Sequence, residues 1–186
     1  CLKDGAFPDK FEKLEKLERI SLSHNELSEF PAFICELKNL TRLDLSWNKL
    51  DSIPDAINNL ADLYEIEIGH NDLRYFPDSL SGLKKMELLK MEHNKLDSLP
   101  HSIGDLTNLE ALFIYHNNLS NLPESFNQLE KLLSLNLSHN EFKTVPEELF
   151  EIDKLEILRL DNNYIKNYPE EMTVHKNMWS LHLVHN

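Results

Sequence analysis

The chain has 186 residues, 41% of them hydrophobic, and a formal net charge of −13. That length carries a sizeable core, and the acidic balance argues against nucleic acid and anionic membrane surfaces as partners. No run of about eighteen apolar residues offers a membrane span, and the four glycines, Gly5, Gly69, Gly82 and Gly104, leave no room for flexible linkers.

At the N-terminus, Phe7, Pro8, Phe11 and Leu14 match the second half of a unit that is spelled out in full from Leu17, while Leu2 and Asp4 stand in place of its asparagine and following leucine. From Asn25 an asparagine returns every 23 residues: Asn25, Asn48, Asn71, Asn94, Asn117, Asn140, Asn163 and Asn186. A stride without insertion or deletion means one structural unit stacked on copies of itself. Leu40, Leu43, Leu45, Asn48, Leu50, Ile53, Pro54, Ile57 and Leu60 show the template, as do Leu109, Leu112, Ile114, Asn117, Leu119, Leu122, Pro123, Phe126 and Leu129. The organisation expected is a single domain over 1–186, with a partial or degenerate repeat in 1–16, seven full repeats in 17–177 and a truncated eighth in 178–186. A start on Cys1 and a stop on an unfinished coil read as the ends of a piece of a longer protein.

Within each unit the Leu-x-Leu alternation has the two-residue period of a strand, so the leucines point to one side and the intervening residues to the other. The asparagine is expected to turn the chain and to satisfy backbone groups of its own and the neighbouring coil through its amide. Pro31, Pro54, Pro77, Pro100, Pro123, Pro146 and Pro169 are expected in the first turn of a short helix on the opposite side. One coil alone buries too little to offset the entropy of ordering it, so the coils must stack. The result is a curved solenoid with a parallel sheet on its concave face.

This pattern resembles the leucine-rich repeat over nearly the whole chain. The 23-residue unit with its proline, the "LP" type, resembles the intracellular repeats of Scribble, Erbin, Ras-suppressor, fungal adenylyl cyclase and Roco proteins, and bacterial repeat proteins also carry it. The resemblance implies an α/β solenoid with short 3-10 or α helices on the convex face. It also implies a scaffold whose concave face grips another protein, a small GTPase being one such partner, with no cofactor. Met86 and Met178 replace the first leucine, Phe142 and Ile165 the leucine after the asparagine, and His175 takes a core position otherwise held by Leu or Ile. His175 therefore marks a loosened coil.

Cys1 and Cys35 are too few for the disulfide-knotted caps of extracellular repeat proteins, and Cys35 reads as a buried thiol, which favours the cytoplasm over secretion. The sequons at Asn39, Asn118 and Asn136 arise from the repeat's own Asn-Leu-Ser spelling and weigh little.

On the concave face, Asp44, Glu65, Glu67, Glu87 and Glu92 cluster on the second to fourth strands, and Leu88, Ala111, Phe113, Tyr115 and Ile157 form an apolar patch centred on the fifth. Aromatics beside a charged rim are what a protein-binding hot spot looks like. The residues expected to bind a partner are Phe113, Tyr115, Leu88, Ile157, Glu65, Glu67, Asp44 and Glu92, with a basic and apolar epitope lying across them. Before the ladder asparagines stand His24, His70, His93, His116, His139 and His185. Metal ligation needs convergent nitrogens, whereas a stacked column gives parallel ones, so this column is read as structural and no metal site is expected. Tyr115, Ser138 and Asp161 share a column but build no nucleophile, and no phosphate-cradling or metalloprotease motif occurs, so no catalytic residue is expected. The function expected is protein–protein interaction, with self-association through uncapped ends. The alternatives are a regulatory or targeting segment of a larger enzyme (GTPase, kinase, cyclase or ubiquitin ligase) and a secreted receptor or adhesion domain.

Overall fold

A computed structural model describes residues 1–5, 7 and 11–186, with the side chains of residues 12, 173 and 174 outside the description. Eight three-residue strands, β1 (Arg19–Ser21), β2 (Arg42–Asp44), β3 (Glu65–Glu67), β4 (Leu88–Lys90), β5 (Ala111–Phe113), β6 (Ser134–Asn136), β7 (Ile157–Arg159) and β8 (Ser180–His182), form one parallel sheet in chain order. Each residue pairs with the one 23 positions on, as Leu43 with Ile66 and Ile66 with Leu89. The central residue of each strand points inward, and Leu43, Ile66, Leu89, Leu112, Leu135 and Leu158 are buried. The sheet lines the concave face of a leucine-rich solenoid and 3-10 helices line the other side; no helix among the described residues is long and apolar enough to cross a membrane.

Behind the sheet the ladder asparagines stack as their stride requires. From Asn48 on, each Nδ2 donates to a carbonyl of its own coil and to one in the preceding coil, as Asn94 does to Met91 (3.1 Å) and Ile68 (3.0 Å). Each Oδ1 accepts a backbone N–H from the preceding coil, as Asn94 does from Leu73 at 3.0 Å. The asparagine does not itself make the turn. The residue before it does: His24, Trp47, His70, His93, His116, His139, Asn162 and His185 all lie in the left-handed region with φ between 52° and 58°. Histidine and asparagine enter that region more readily than most side chains, which accounts for the composition of the column. Trp47 is the bulky exception, and its ring lies flat against His70 with centroids 3.6 Å apart.

The prolines sit one step earlier than expected. Pro31, Pro54, Pro100, Pro123, Pro146 and Pro169 precede the 3-10 helices Ala32–Glu36, Asp55–Asn59, His101–Asp105, Glu124–Gln128, Glu147–Glu151 and Glu170–Val174 as extended N-caps. Their carbonyls accept from the N–H three residues on at 2.8–3.3 Å, so the ring fixes the entry to the turn rather than its first residue. After Pro77 no helix forms. There the Gly82 N–H donates to Asn58 Oδ1 at 2.6 Å and the Asn58 amide reaches Ser79 Oγ at 3.1 Å, so side-chain bonds to the coil before replace the first turn, while the Leu83 N–H still donates to Leu80 at 3.0 Å.

At the N-terminal end, the Leu2 N–H donates to Asn25 Oδ1 at 2.6 Å and Asp4 Oδ1 accepts from the N–H groups of Ser28 and Glu29, so the degenerate half-coil continues the ladder with a shifted register. Phe7, Phe11 and Phe33 pack ring to ring at 5.0–5.9 Å. Pro8 lies outside the described residues. Cys1 and Cys35 are both free thiols, and burial pushes the Cys35 thiol up to about 11. At the other end Leu181 is 43% exposed, unlike the other central strand leucines.

His175 is buried with neither ring nitrogen hydrogen-bonded. The backbone N–H of the residue closing each of the other five-residue helices donates to the helix's third residue, as Leu129 does to Phe126, but His175 makes no such bond among the described residues. Burial holds its imidazole below the ordinary value, with the Ile152 backbone and Asp153 opposing. A lowered folded pKa means that the unfolded chain binds the proton more readily, so this stabilisation is complete above about pH 6.5 and is lost as pH falls. His175→Leu is expected to raise unfolding stability by about 1–2 kcal/mol at neutral pH by removing an unsatisfied buried polar ring, and by more near pH 5. Urea titrations at both pH values check this; a gain of the same size at each would show that the imidazole titrates normally.

Candidate functional site

Strand register turns the sequence columns into lateral neighbours about 4.8 Å apart. Lys90 on β4, Phe113 on β5, Asn136 on β6 and Arg159 on β7 stand side by side in one row. Two residues farther along the chain, Glu92, Tyr115, Ser138 and Asp161 form the next row. Together with Glu67 and Val184 they line a groove of about 770 Å³ on the concave face. Phe113 and Tyr115 are half-buried on its floor, and His116, His139 and Asn162 of the left-handed column form its wall.

That column is a ring stack. Trp47, His70, His93, His116 and His139 follow one another with centroids 3.6–4.2 Å apart and planes within 18° of parallel, and His24 caps Trp47 at 5.2 Å. Imidazole lone pairs lie in the ring plane, so parallel rings do not aim them at one point. Beyond His139 the stack gives way to Asn162, whose amide nitrogen lies 3.2 Å from His139 Nε2. Burial first, and neighbouring imidazoles second, hold His70, His93 and His116 below the ordinary histidine value, so acid opposes the stack with the same sign as at His175. Tyr115 meets His93 and His116 edge-on at 5.3 and 5.8 Å, which fixes the tyrosine ring against the wall.

The expected binding residues separate into three sets. Phe113, Tyr115, Glu67 and Glu92 converge on the main groove. Asp44 and Glu65 line a second, smaller hollow of about 210 Å³ with Arg19, Ser21 and Arg42, and Glu67 stands between the two. Leu88 and Ile157 lie in the same lateral row with Ala111 and Ser134 between them, and line neither hollow.

Most of the acidic rim is already engaged within the chain. Glu65 holds Arg42 at 3.0 Å, and Arg42 also donates to the Tyr64 hydroxyl and lies over its ring at 5.1 Å. Glu67 holds Lys90 at 3.2 Å. Burial would raise the Asp44 carboxyl, but Ser46 at 2.6 Å and its N–H at 3.0 Å, with Ser21 at 2.9 Å, outweigh it and keep the group below the ordinary range. Glu92 differs. Its carboxylate rests on Gly69, where an added Cβ would stand 2.7 Å from it, and its Oε2 is buried without a hydrogen-bond partner. Burial, opposed by its own backbone and Lys90, pushes this carboxyl above the ordinary range. Arg159, absent from the expected set, stands exposed at the far end of the groove without an ion pair among the described residues.

The leucine-rich repeat region model matches residues 69–185, and the leucine rich repeat model matches 4–50 and 38–96. The chain belongs to the leucine-rich repeat family. A leucine-rich repeat protein of Leptospira interrogans superposes with a TM-score of 0.92 at 36% identity, over 96% of this chain and 45% of that one. The leucine-rich repeat ectodomain of the plant membrane receptor kinase GASSHO1/SCHENGEN3 from Arabidopsis thaliana, in complex with Casparian strip integrity factor 2, superposes with a TM-score of 0.75 at 29% identity, over 95% of this chain and 25% of that one. The mouse flightless-1 homolog is 44% identical over 52 residues, which are 28% of this chain and 4% of that protein. This leucine-rich repeat chain thus spans less than half the length of each of these relatives. Leucine-rich repeat domains bind protein partners, and the fold is typically a non-catalytic interaction module.

Proposed function

We propose that this chain is a protein-interaction scaffold of the 23-residue LP type, gripping a partner protein in the concave groove over Phe113 and Tyr115. The observation that carries this reading is two aromatic side chains half-buried on the floor of an open groove, one of them braced by the histidine wall. Nothing in a stacked solenoid requires aromatics on that face, because its core is supplied by the inward leucines. Glu65 and Glu67 are already paired with Arg42 and Lys90, and Asp44 keeps its charge but is held by Ser21 and Ser46, so the three shape the surface. Leu88 and Ile157 contribute peripheral apolar area. The scaffold is a single domain with seven full repeats over 17–177, and it works in the cytoplasm without a cofactor or catalytic step. Unpaired Cys1 and Cys35 support the reducing compartment. A small GTPase is one partner class consistent with the LP resemblance.

A second reading, a regulatory or targeting segment of a larger enzyme, is favoured by the receptor kinase among the similar structures. Both readings use the same groove. Replacing Phe113 and Tyr115 together by alanine is expected to weaken partner binding by about tenfold or more while leaving thermal unfolding within a few degrees. Quantitative affinity capture on the immobilised wild-type chain and double variant checks this, and equal capture of every partner would remove the proposal.

A further inference from the structure

The two unpaired charges at opposite ends of the groove specify the chemistry of its occupant. Glu92 Oε2 is buried beside the aromatic floor without a donor, and the nearest cation, Lys90, is committed to Glu67 at 3.2 Å. Gly69 makes room for the Glu92 carboxylate, where the two preceding coils carry Ser23 and Ser46 at the equivalent place. Among the described residues lining the far end of the groove, the carboxylate beside Arg159 is Asp161, whose Oδ1 accepts the Val184 N–H at 2.6 Å. Arg159 has no ion pair among the described residues, so its guanidinium is free for an incoming carboxylate, the geometry to which its fork is suited.

Three strand steps separate Glu92 from Arg159 across the sheet, and two residues along it. With strands about 4.8 Å apart and about 3.3 Å of rise per residue, the span is about 16 Å. An extended chain covers that distance in about five residues. Resting on the binding groove proposed above, we infer that its occupant is an extended peptide segment that sets a Lys or Arg on Glu92 and, about five residues away, an Asp or Glu on Arg159, with an apolar side chain between them on Phe113 and Tyr115. Glu92 swings off Gly69 into the open groove and its unmet oxygen gains a donor, and Arg159 gains a bidentate partner. Either chain direction serves, because the recognition runs through side chains.

A phage-displayed library of random dodecapeptides selected on the wild-type chain tests this, with enriched peptides synthesised and measured by fluorescence anisotropy. The expected enrichment pairs Lys or Arg with Asp or Glu four to six positions apart around an apolar residue. Glu92→Gln and Arg159→Gln are each expected to weaken binding about tenfold, and Arg159→Lys recovers only part of that loss, since an ammonium keeps the charge but not the bidentate fork. Replacing the peptide's cation by alanine should cost nothing further in Glu92→Gln, since the two changes remove the same contact. Selected peptides without the charge pairing, no selected peptides, or affinities within twofold of wild type in both charge variants would overturn the inference. If those unaffected peptides still lose affinity in the Phe113 and Tyr115 double variant, the aromatic groove stands and only the charge assignment falls. Peptides indifferent to the double variant as well would remove the groove itself.

Discussion

Asn117→Ala is expected to lower unfolding stability by about 2–6 kcal/mol, several times the cost of the same change at Asn186. The difference comes from what each amide leaves behind. Asn117 is 7% exposed; its Oδ1 accepts the Leu96 N–H at 3.0 Å and its Nδ2 donates to Met91 at 3.0 Å and Ile114 at 3.1 Å. Both carbonyls keep a second ladder amide, since Asn94 also serves Met91 and Asn140 also serves Ile114. The substitution therefore orphans one buried N–H outright, at about 1–3 kcal/mol, and halves the bonding of two carbonyls, at about 0.5–1.5 kcal/mol each. Asn186 makes equivalent bonds to Ile165, Leu160 and Leu183 but is exposed, so water replaces it and a loss under about 1 kcal/mol is expected. Urea unfolding of both variants followed by circular dichroism measures the gap. Equal losses would mean that the amides are spacers rather than the bonds joining one coil to the next.

The same ladder explains why so much of the fold is legible in one sequence. An asparagine at a constant stride fixes the length of each coil, and a constant coil length fixes strand register, inward leucines and concave rows together. The turn was harder to read because the residue that bends the backbone is the histidine before the asparagine. Its signal was the composition of the column, in which Asn162 is an exception that obeys the same left-handed rule. The ion pairs Arg42–Glu65 and Lys90–Glu67 join residues one stride apart and so follow from the register, but a grouping of the acids by charge alone does not reveal them. Arg159 carries no sequence signal for the same reason: whether a charge is free depends on what its neighbours already hold, and Asp161 accepts a backbone N–H that no pattern displays. Leu88 and Ile157, grouped by hydropathy, are separated by two strands in their own row. The missing helix after Pro77 is marked in the sequence only by Gly82, because that coil carries the same proline and inward Leu80 as its neighbours.

Gly82 supplies the reason and the second large effect, a loss of about 2–4 kcal/mol on Gly82→Ala. A Cβ there would stand 2.0 Å from the backbone oxygen of Asn58 and 2.9 Å from its Oδ1, the atom that accepts the Gly82 N–H. Overpacking of this kind costs about 1–3 kcal/mol and occasionally more. The upper part of that range applies because the obstacle is backbone in the neighbouring coil, which moves only if the two coils part and the side-chain bonds from Asn58 break. Gly69→Ala is the control. Its Cβ would meet the Glu92 carboxylate at 2.7 Å, the free end of a flexible side chain that can swing into the open groove, so a loss under about 1 kcal/mol is expected. Thermal and urea unfolding of the two variants compare one glycine required by backbone against backbone with another required only by a movable carboxylate. Similar losses for both would show that the coils around Gly82 yield as easily as a side chain, and that the missing helix after Pro77 has another cause.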